Sequence, residues 1–333
     1  MTREVVLAAR PQGAPQESDF AFREIDEREP GPGEVLVRNV FVSVDPYMRS
    51  RMSGIRTYVG PYEVGEPIDG GAVGRVVASN DPGFDEGDWV LSGLGWRERG
   101  IAAAKHLRKL DPVMAPPSTA LGILGMPGLT AWVGLMDIGQ VKEGETLYVS
   151  GAAGAVGSAA VQIGKLKGLR VLGSAGSPDK VAWLESLGIE AFDYRETPAK
   201  EALADGIDVY FDNVGGPQLE SALFALRPFG RVIACGAIAR YNDERPEPGP
   251  RNLALIVTKR LRVQGFIVID HQDRYPAFLA DVGPWIRDGK IAYRETIVDG
   301  LDQLPSAFAG LFRGDNVGKM LVRVGADQEG LAT

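Results

Sequence analysis

Apolar strand patterns alternate with helical patterns through residues 146–235, and this alternation constrains the fold more than any other feature of the chain. Four short runs have the composition of buried strands: Thr146–Ser150, Arg170–Ser174, Val209–Asp212 and Arg231–Cys235. The segments between them have the apolar spacing of helices: Ser158–Lys167, Pro178–Leu187 and Pro217–Leu226. Strands that alternate with helices predict a parallel, doubly wound α/β sheet that binds ligands at the carboxyl ends of its strands.

The residues on either side of this region follow a different pattern. Up to about residue 120 the chain consists of strand patterns broken by Gly/Pro turns, such as Glu34–Val44 after Pro30–Gly33, which favours a small β-barrel or sandwich. A last strand pattern covers Leu261–Ile269. Leu301–Gly314 and Lys319–Val324 have a helix-plus-strand pattern that we expect to return to the first domain. A length of 333 residues agrees with two domains.

The composition disfavours several kinds of site and partner. Cys235 is the only thiol, and His106 and His271 are the only imidazoles, so we predict no metal, although a mixed His/carboxylate site stays open. The net charge of −8 argues against nucleic-acid and anionic-membrane partners. No apolar run reaches the ~18 residues of a membrane span, and the first residues lack a signal-peptide pattern. With a single cysteine, these features predict a cytoplasmic protein.

The loop after Ser150 consists of small residues, Gly151–Gly157 (GAAGAVG). Aligned to the dinucleotide-binding fingerprint, it reads Ala-x-Gly-x-x-Gly. Gly154 lets the backbone approach a pyrophosphate, and Gly157 lets the following helix pack closely on the strand. The first amides of the helix that follows Ala155, Val156 and Gly157 then face the anion. We therefore predict a dinucleotide site here, and the alternative is a tight turn that binds no ligand.

The end of the second strand indicates which nicotinamide cofactor binds. An NAD site needs a carboxylate there to accept hydrogen bonds from the ribose, but the sequence is Ser174-Ala175-Gly176-Ser177, with Lys180 one turn into the next helix. Small hydroxyls, amides and one cation suit a 2′-phosphate, so we predict NADP(H). Asp179 is interpreted as a surface residue at a helix start. The alternative for Lys180 is an ordinary solvated charge.

Seven segments together resemble the zinc-independent branch of the medium-chain dehydrogenase/reductase superfamily. This branch contains prostaglandin reductase, leukotriene hydroxydehydrogenase, plant alkenal double-bond reductase and bacterial curcumin reductase. The matching segments span nearly the whole chain: Val44–Arg49, Gly125–Ala131, Ala152–Ser158, Asp208–Gly216, Cys235–Ile238, Gly265–Val268 and Asn316–Lys319. The cysteine near Val44 and the Gly-His-Glu near Asp69 that mark the zinc-dependent relatives are absent from the sequence.

The resemblance implies an α/β fold in which a Rossmann domain, residues 122–297, is inserted into a GroES-like β-barrel catalytic domain, residues 1–121 and 298–333. It also implies where NADP(H) binds. The pyrophosphate would lie on Gly154–Gly157, and the 2′-phosphate on Lys180 and Tyr194, although the surroundings of Tyr194 match only loosely. The rest of the cofactor would be lined by Asn213, Cys235, Gly236, Ala237, Ile238, Tyr241, Phe266, Ile267, Val268 and Asn316. Asn213 and Asn316 could equally be turn residues, since asparagine favours turns.

The resemblance further implies reduction of a carbon–carbon double bond next to a carbonyl, with hydride added to the β-carbon. Without a metal, hydrogen-bond donors must stabilise the resulting enolate, and Tyr47 is the best protein candidate. The alternative for Tyr47 is packing, and the ribose hydroxyl is another donor. His271 stands where some relatives have a tyrosine. It is a candidate substitute for that proton donor in the substrate pocket, and the alternative is an isolated surface histidine. Tyr58 and Tyr62 are candidate walls of a hydrophobic pocket, or ordinary barrel packing.

Two other functions stay open. One is a quinone reductase or allylic secondary-alcohol dehydrogenase of the same superfamily, and the other is a non-enzymatic NADPH-binding protein. We expect a small hydrophobic enone or enal as the substrate and a homodimer as the assembly, because most soluble oligomers are two-fold.

Overall fold

The computed structural model describes residues 1–245 and 247–325. By their internal contacts the residues form two compact units. The first contains Met1–Leu121, Glu295–Asn316 and residues 320–325. The second contains Gly122–Arg294 and Val317–Lys319.

The strands, in chain order, are β1 (Thr2–Leu7), β2 (Phe20–Ile25), β3 (Glu34–Ser43), β4 (Ala72–Ser79), β5 (Trp89–Ser92), β6 (Arg99–Ala103), β7 (Arg108–Leu110), β8 (Thr146–Val149), β9 (Arg170–Ala175), β10 (Glu190–Asp193), β11 (Ile207–Asp212), β12 (Leu226–Ala234), β13 (Arg262–Gly265), β14 (Glu295–Asp299) and β15 (Lys319–Arg323). The α-helices are α1 (Tyr47–Arg51), α2 (Met126–Val133), α3 (Ala155–Leu166), α4 (Pro178–Ser186), α5 (Ala199–Ala202), α6 (Gly216–Ala225), α7 (Ala254–Thr258), α8 (Tyr275–Arg287) and α9 (Leu304–Arg313). No helix among the described residues is both long enough and apolar enough to cross a bilayer.

The first unit is built on a seven-stranded sheet in the order β14-β15-β3-β4-β5-β7, in which β6 also pairs with β3. The pairs between β3 and its neighbours β4, β6 and β15 are antiparallel. Its core is aromatic: the rings of Phe20, Trp96 and Phe308 lie within 6.2 Å of one another by their centroids. Phe308 comes from α9, so this helix near the end of the chain packs in the core of the first unit.

The second unit is a six-stranded sheet in the order β10-β9-β8-β11-β12-β13, and every pair in it is parallel. The chain runs outward from β8 to β10 and then starts again on the other side of β8 with β11. This reversal places a crevice at the carboxyl ends of β8 and β11, which is where doubly wound sheets bind their ligands. The predicted Rossmann-type sheet is confirmed.

Two predicted boundaries are wrong. Leu261–Ile269 is not one strand, because β13 ends at Gly265 opposite Ala234, where its partner β12 also ends. The chain continues into a 3₁₀ segment at Val268–Arg274. The helix predicted from Ser158 begins at Ala155, because Gly154 has an extended backbone and α3 starts directly after it.

Candidate functional site

The turn between β8 and α3 has no room for larger side chains. A Cβ atom on Gly157 would lie 2.2 Å from the carbonyl oxygen of Gly151, which is far inside van der Waals contact. Gly151 itself has a positive φ of 60°, a conformation that favours glycine. The turn therefore requires glycine at both positions, and it brings the backbone of the loop onto the first turn of the helix.

This turn ends at the amino terminus of α3, where backbone amides lack partners inside the helix. Gly154 precedes the helix and has no side chain that could cap these amides. The helix is 12 residues long, and its dipole adds to the pull of the amides on an anion. Gly318 supports the turn, since its amide donates to the carbonyl of Ala153 at 2.8 Å. The residues present fit a pyrophosphate.

Ser174, which was predicted to help bind the cofactor, is committed to the interior of the second unit. Its side chain is fully buried and bonded to the Tyr148 hydroxyl at 2.9 Å and to the Gln218 carbonyl oxygen at 2.8 Å. The main-chain oxygen of Ser174 accepts from the amide of Ala152 at 2.9 Å. We therefore withdraw the Ser174 hydroxyl from the predicted phosphate ligands, because strand alternation turns it into the core.

Gly176 and Tyr194 lie together just beyond the end of β9. The Tyr194 hydroxyl would be 2.9 Å from a Cβ on Gly176, so a side chain at this position would displace the ring. The amide of Tyr194 donates to the carbonyl of Ala175 at 3.1 Å. The loosely matched Tyr194 is thus adjacent to the strand end that the sequence singled out.

Ser177 is a candidate that the sequence analysis did not single out as a ligand. It occupies the N-cap of α4, but its hydroxyl makes no capping bond to the helix. Lys180 follows three residues later, in the first turn. The sequence signal that could have identified Ser177 is its position directly before Pro178 at the start of a helix. The hydroxyl and the ammonium group suit a phosphate monoester.

A buried carboxylate organises the other side of the crevice. Asp212, only 2% exposed, accepts hydrogen bonds from the amides of Val214 at 3.0 Å and Gly215 at 2.7 Å, and from the Tyr210 hydroxyl at 2.7 Å. Burial raises the pKa of Asp212, although the hydrogen bonds from Gly215 and Tyr210 oppose this shift. Sequence analysis missed this residue as an organiser of the loop, because its partners become neighbours only through the turn.

Asn213 lies beside this carboxylate. Its side-chain nitrogen donates to the carbonyl of Ser150 at 2.8 Å, so it joins the ends of β8 and β11. This bond fixes the direction of the amide group and leaves its oxygen as the remaining acceptor. Asn213 therefore has a structural role in the turn, and its side-chain oxygen can still contact a cofactor.

Cys235–Tyr241 form the loop after β12. The amides of Cys235 and Gly236 both donate to the carbonyl of Asp212, at 2.9 and 3.0 Å, so this loop is tied to the Asp212 loop. The Tyr241 hydroxyl accepts from the amide of Ala237 at 3.3 Å. Burial raises the pKa of the Cys235 thiol to about 12. Cys235 therefore contributes its main chain here, and its side chain is a neutral thiol.

Phe266 and His271 contact each other after the last strand of the parallel sheet. Their rings meet edge-on with centroids 6.2 Å apart. Val268 is buried in the core of the second unit, whereas Ile267 is half-buried. His271 is thus part of an aromatic pair, which is more specific than the isolated surface histidine considered as its alternative.

Three tyrosines of the first unit were predicted near the substrate. Tyr47 begins α1, and its half-buried ring packs against the aromatic core of the unit. Tyr62 is buried in that core, and its hydroxyl donates to the carbonyl of Asp69 at 2.7 Å, as the packing alternative anticipated. Tyr58 is 52% exposed. Of the three, Tyr47 and Tyr58 present surface that a substrate can contact.

Within residues 1–245 and 247–325, no group of three or more His, Cys, Asp or Glu side chains is arranged to hold a metal ion.

Two family models match this chain. Residues 3–110 match the N-terminal domain of oxidoreductases, and residues 155–282 match the zinc-binding dehydrogenase domain. The chain is 45% identical to the NADPH-dependent curcumin reductase of Escherichia coli over 98% of its own length and 97% of that protein. The chain belongs to the medium-chain dehydrogenase/reductase family. Its branch is the zinc-independent one that the sequence resembled.

Two further members of this family are similar over their full length. The NADP⁺-dependent 2-alkenal reductase of Nicotiana tabacum is 42% identical, with 97% of each chain covered. The crystal structure of CurA from Vibrio vulnificus in complex with NADPH superimposes with a TM-score of 0.92 at 43% identity, covering 97% of this chain and 99% of that one. The family's two-domain α/β fold is therefore the fold of this chain.

Proposed function

We propose that this chain is an NADPH-dependent reductase that saturates the carbon–carbon double bond of α,β-unsaturated ketones and aldehydes. The names of its medium-chain relatives, a curcumin reductase and a 2-alkenal reductase, support this substrate class. The observation that carries the proposal is the turn at Gly151–Gly157, which has no room for a side chain at Gly157 and opens onto the amino terminus of a 12-residue helix. Such a turn suits the pyrophosphate of a dinucleotide.

The residues that would hold NADPH follow from their positions. The amides of Gly154–Gly157 bind the pyrophosphate. Lys180, Tyr194, Gly176 and the added Ser177 surround the 2′-phosphate, where one cation and several hydrogen-bond donors favour NADPH over NADH. The rest of the cofactor would be lined by Asn213, Cys235, Gly236, Ala237, Ile238, Tyr241, Phe266, Ile267, Val268 and Asn316. When bound, the reduced cofactor supplies the hydride.

Tyr47 is the proposed catalytic residue. Burial and the nearby Asp45 carboxylate raise the pKa of Tyr47 well above its usual value, so the hydroxyl remains protonated at neutral pH. A neutral hydroxyl donates a hydrogen bond to the substrate carbonyl oxygen and stabilises the negative charge that develops there. Tyr58, which is 52% exposed, provides apolar surface for the substrate, and Tyr62 packs in the core of the first unit. His271 of the second unit is a separate candidate contact for the substrate.

We further propose that the first unit is the GroES-like catalytic domain and the second the NADP-binding domain. The predicted boundary at residue 298 falls inside β14 (Glu295–Asp299), so the boundary is better drawn at Glu295. We also propose a cytoplasmic location.

A homodimer is proposed as the assembly. β13 is an edge strand of the parallel sheet, and all four of its residues are exposed. Nearby apolar side chains on α7 and β13, Val257 and Val263, are exposed as well. An open edge of this kind pairs readily with a second copy. Light scattering of the wild type and of Val263→Lys tests this: the wild type should have twice the mass of one chain and the variant should dissociate.

A screen for NADPH consumption with product analysis tests the proposed activity. The panel contains short enals, long enones, aromatic enones, an ortho-quinone and a saturated ketone. Saturated ketones or aldehydes formed from the enones and enals support the proposal. Turnover only of the quinone, or an alcohol as the only product, favours the rival enzymes of the same family. Quenching of tryptophan fluorescence by NADPH without any turnover favours a binding protein.

A further inference from the structure

Residues 52–62 of the first unit form a loop, here called the tyrosine loop, whose two ends are drawn together by Arg10. The Arg10 guanidinium donates to the carbonyl of Met52 at 3.2 Å and to the carbonyl of Tyr62 at 3.0 Å. The tip of the loop has exposed apolar side chains, with Ile55 68% exposed and Tyr58 52% exposed. The loop therefore has a fixed base and an apolar tip.

Arg51, the last residue of α1, holds the carboxyl-terminal end of this loop. Its Nε donates to the carbonyl of Gly60 at 3.0 Å, and its guanidinium carbon lies 3.8 Å from the centroid of the Tyr62 ring. Both terminal nitrogens donate to the carboxylate of Asp69. One side chain thus makes a bidentate ion pair, a cation–π contact and a hydrogen bond to the loop backbone.

Tyr62 and Asp69 complete this arrangement. The Tyr62 hydroxyl donates to the main-chain carbonyl of Asp69 at 2.7 Å, and its amide donates to the carbonyl of Arg51 at 2.8 Å. Each of the three residues therefore contacts the other two. The Arg51 side chain is only 12% exposed, so its contacts are weakly screened by water, although the 55% exposure of Asp69 weakens the ion pair itself.

Arg51 is also four residues after Tyr47 on the same short helix, a spacing that places two side chains on one face. The charged and titratable groups around Tyr47 are Asp45, Tyr62, Arg51 and Asp69. Burial and the two carboxylates raise the pKa of Tyr47, and the Arg51 guanidinium opposes them. Arg51 therefore links Tyr47, the proposed hydrogen-bond donor to the substrate, to the tyrosine loop by both position and charge.

We propose that Arg51 is a positioning residue for the reaction: by joining Tyr62, Gly60 and Asp69, it fixes the tyrosine loop beside Tyr47 and aligns the Tyr47 hydroxyl with the substrate carbonyl. This inference rests on the proposed function. It predicts two separate effects of losing the guanidinium. The Tyr47 hydroxyl is less well aligned with the substrate carbonyl oxygen, which lowers kcat. The apolar tip of the tyrosine loop is less well fixed, which raises KM for bulky enones.

A double-mutant cycle tests the link to Tyr47. We expect Arg51→Met to lower kcat about tenfold in the wild type but less than about twofold in a Tyr47→Phe background, because coupled residues are not additive. Arg51→Lys keeps the positive charge but loses the bidentate guanidinium, so its kcat should lie between those of the wild type and Arg51→Met. Asp69→Asn provides a second way to weaken the arrangement without truncating the arginine. Arg28→Met is the matched control, since Arg28 makes an equally bidentate pair with Glu34 far from α1 in sequence.

Substrate size tests the link to the loop. Arg51→Met should raise KM for an aromatic enone such as 4-phenyl-3-buten-2-one several-fold more than KM for 2-butenal, with KM for NADPH unchanged. Additive kcat effects in the cycle, or equal KM changes for both substrates, would overturn the inference while leaving the proposed function intact. The melting temperature and the NADPH affinity of each variant show whether it is folded. A wild-type protein inactive on every enone would instead remove the proposed function itself.

Discussion

The crevice of the second unit and the tyrosine loop of the first unit are shaped by opposite means. The crevice is built from backbone: Gly151, Gly157 and the first turn of α3 are contiguous in sequence, and their shape depends on the absence of side chains. The tyrosine loop is built from long side chains, with Arg10 and Arg51 reaching carbonyls and a carboxylate up to 52 residues away. Glycine substitutions should therefore damage the first region most, and loss of guanidinium groups should damage the second.

The largest effect is expected from Gly157→Ala. The new methyl group would lie 2.2 Å from the carbonyl oxygen of Gly151, so the turn must open and the amides of α3 lose their alignment. We expect NADPH affinity to fall more than about 100-fold by fluorescence titration. Gly283→Ala is the matched control, because a Cβ there meets nothing within 4 Å. Equal affinities of the two variants would contradict a backbone-built crevice.

Tyr47→Phe tests the catalytic side of the first unit. Losing one donor at a developing oxyanion should lower kcat by about 100-fold. The KM for NADPH should stay the same, because Tyr47 is not among the residues proposed to hold the cofactor. Steady-state kinetics with a saturating enone measure both. An unchanged kcat would leave the ribose hydroxyl or water as the donor.

The same tyrosine makes a prediction about pH. Because the pKa of Tyr47 is raised above its usual value near 10, the protonated donor persists to higher pH than in a free tyrosine. Tyr47 should therefore cause no loss of kcat between about pH 6 and 9. A pH profile of kcat, compared between the wild type and Tyr47→Phe, measures this. An alkaline fall that disappears in the Phe variant and has a midpoint below pH 9 is the contrary result.

Lys180→Ala should have a more selective effect on the crevice. Removing one cation from a 2′-phosphate site should raise KM for NADPH by about 10-fold and leave KM for NADH nearly unchanged. Lys142→Ala, which removes an exposed lysine before the amino end of β8, is the control. Equal effects on both cofactors would contradict the phosphate assignment.

The same contrast between the crevice and the tyrosine loop explains which features could be predicted from the sequence. The alternation of strands and helices, the glycine turn and the absence of an acid after β9 follow from local patterns, so the parallel sheet and its ligand-binding end were predictable. The burial of Ser174 depends on which face of β9 it occupies, and the role of Asp212 depends on a turn that closes only in three dimensions. The Arg51 arrangement was invisible for the same reason, since Asp69 becomes its neighbour only after folding.

The smallest effect is expected at Cys235, whose contribution to the crevice comes from its main chain. Cys235→Ser should keep NADPH affinity within about twofold. Because burial raises the pKa of the thiol to about 12, the thiolate is scarce at pH 8 and alkylation by iodoacetamide should be slow, accelerating only as pH rises. Mass spectrometry of the alkylated protein over time measures this. Fast modification at neutral pH would show that the thiol is accessible and acidic.

The fate of the transferred hydride tests the central claim most directly. The wild-type protein is mixed with an aromatic enone and NADPH carrying deuterium at the transferable C4 position, and the product is examined by NMR. A saturated ketone with deuterium on the former β-carbon is the result that the account predicts. An allylic alcohol with deuterium on the former carbonyl carbon would contradict it.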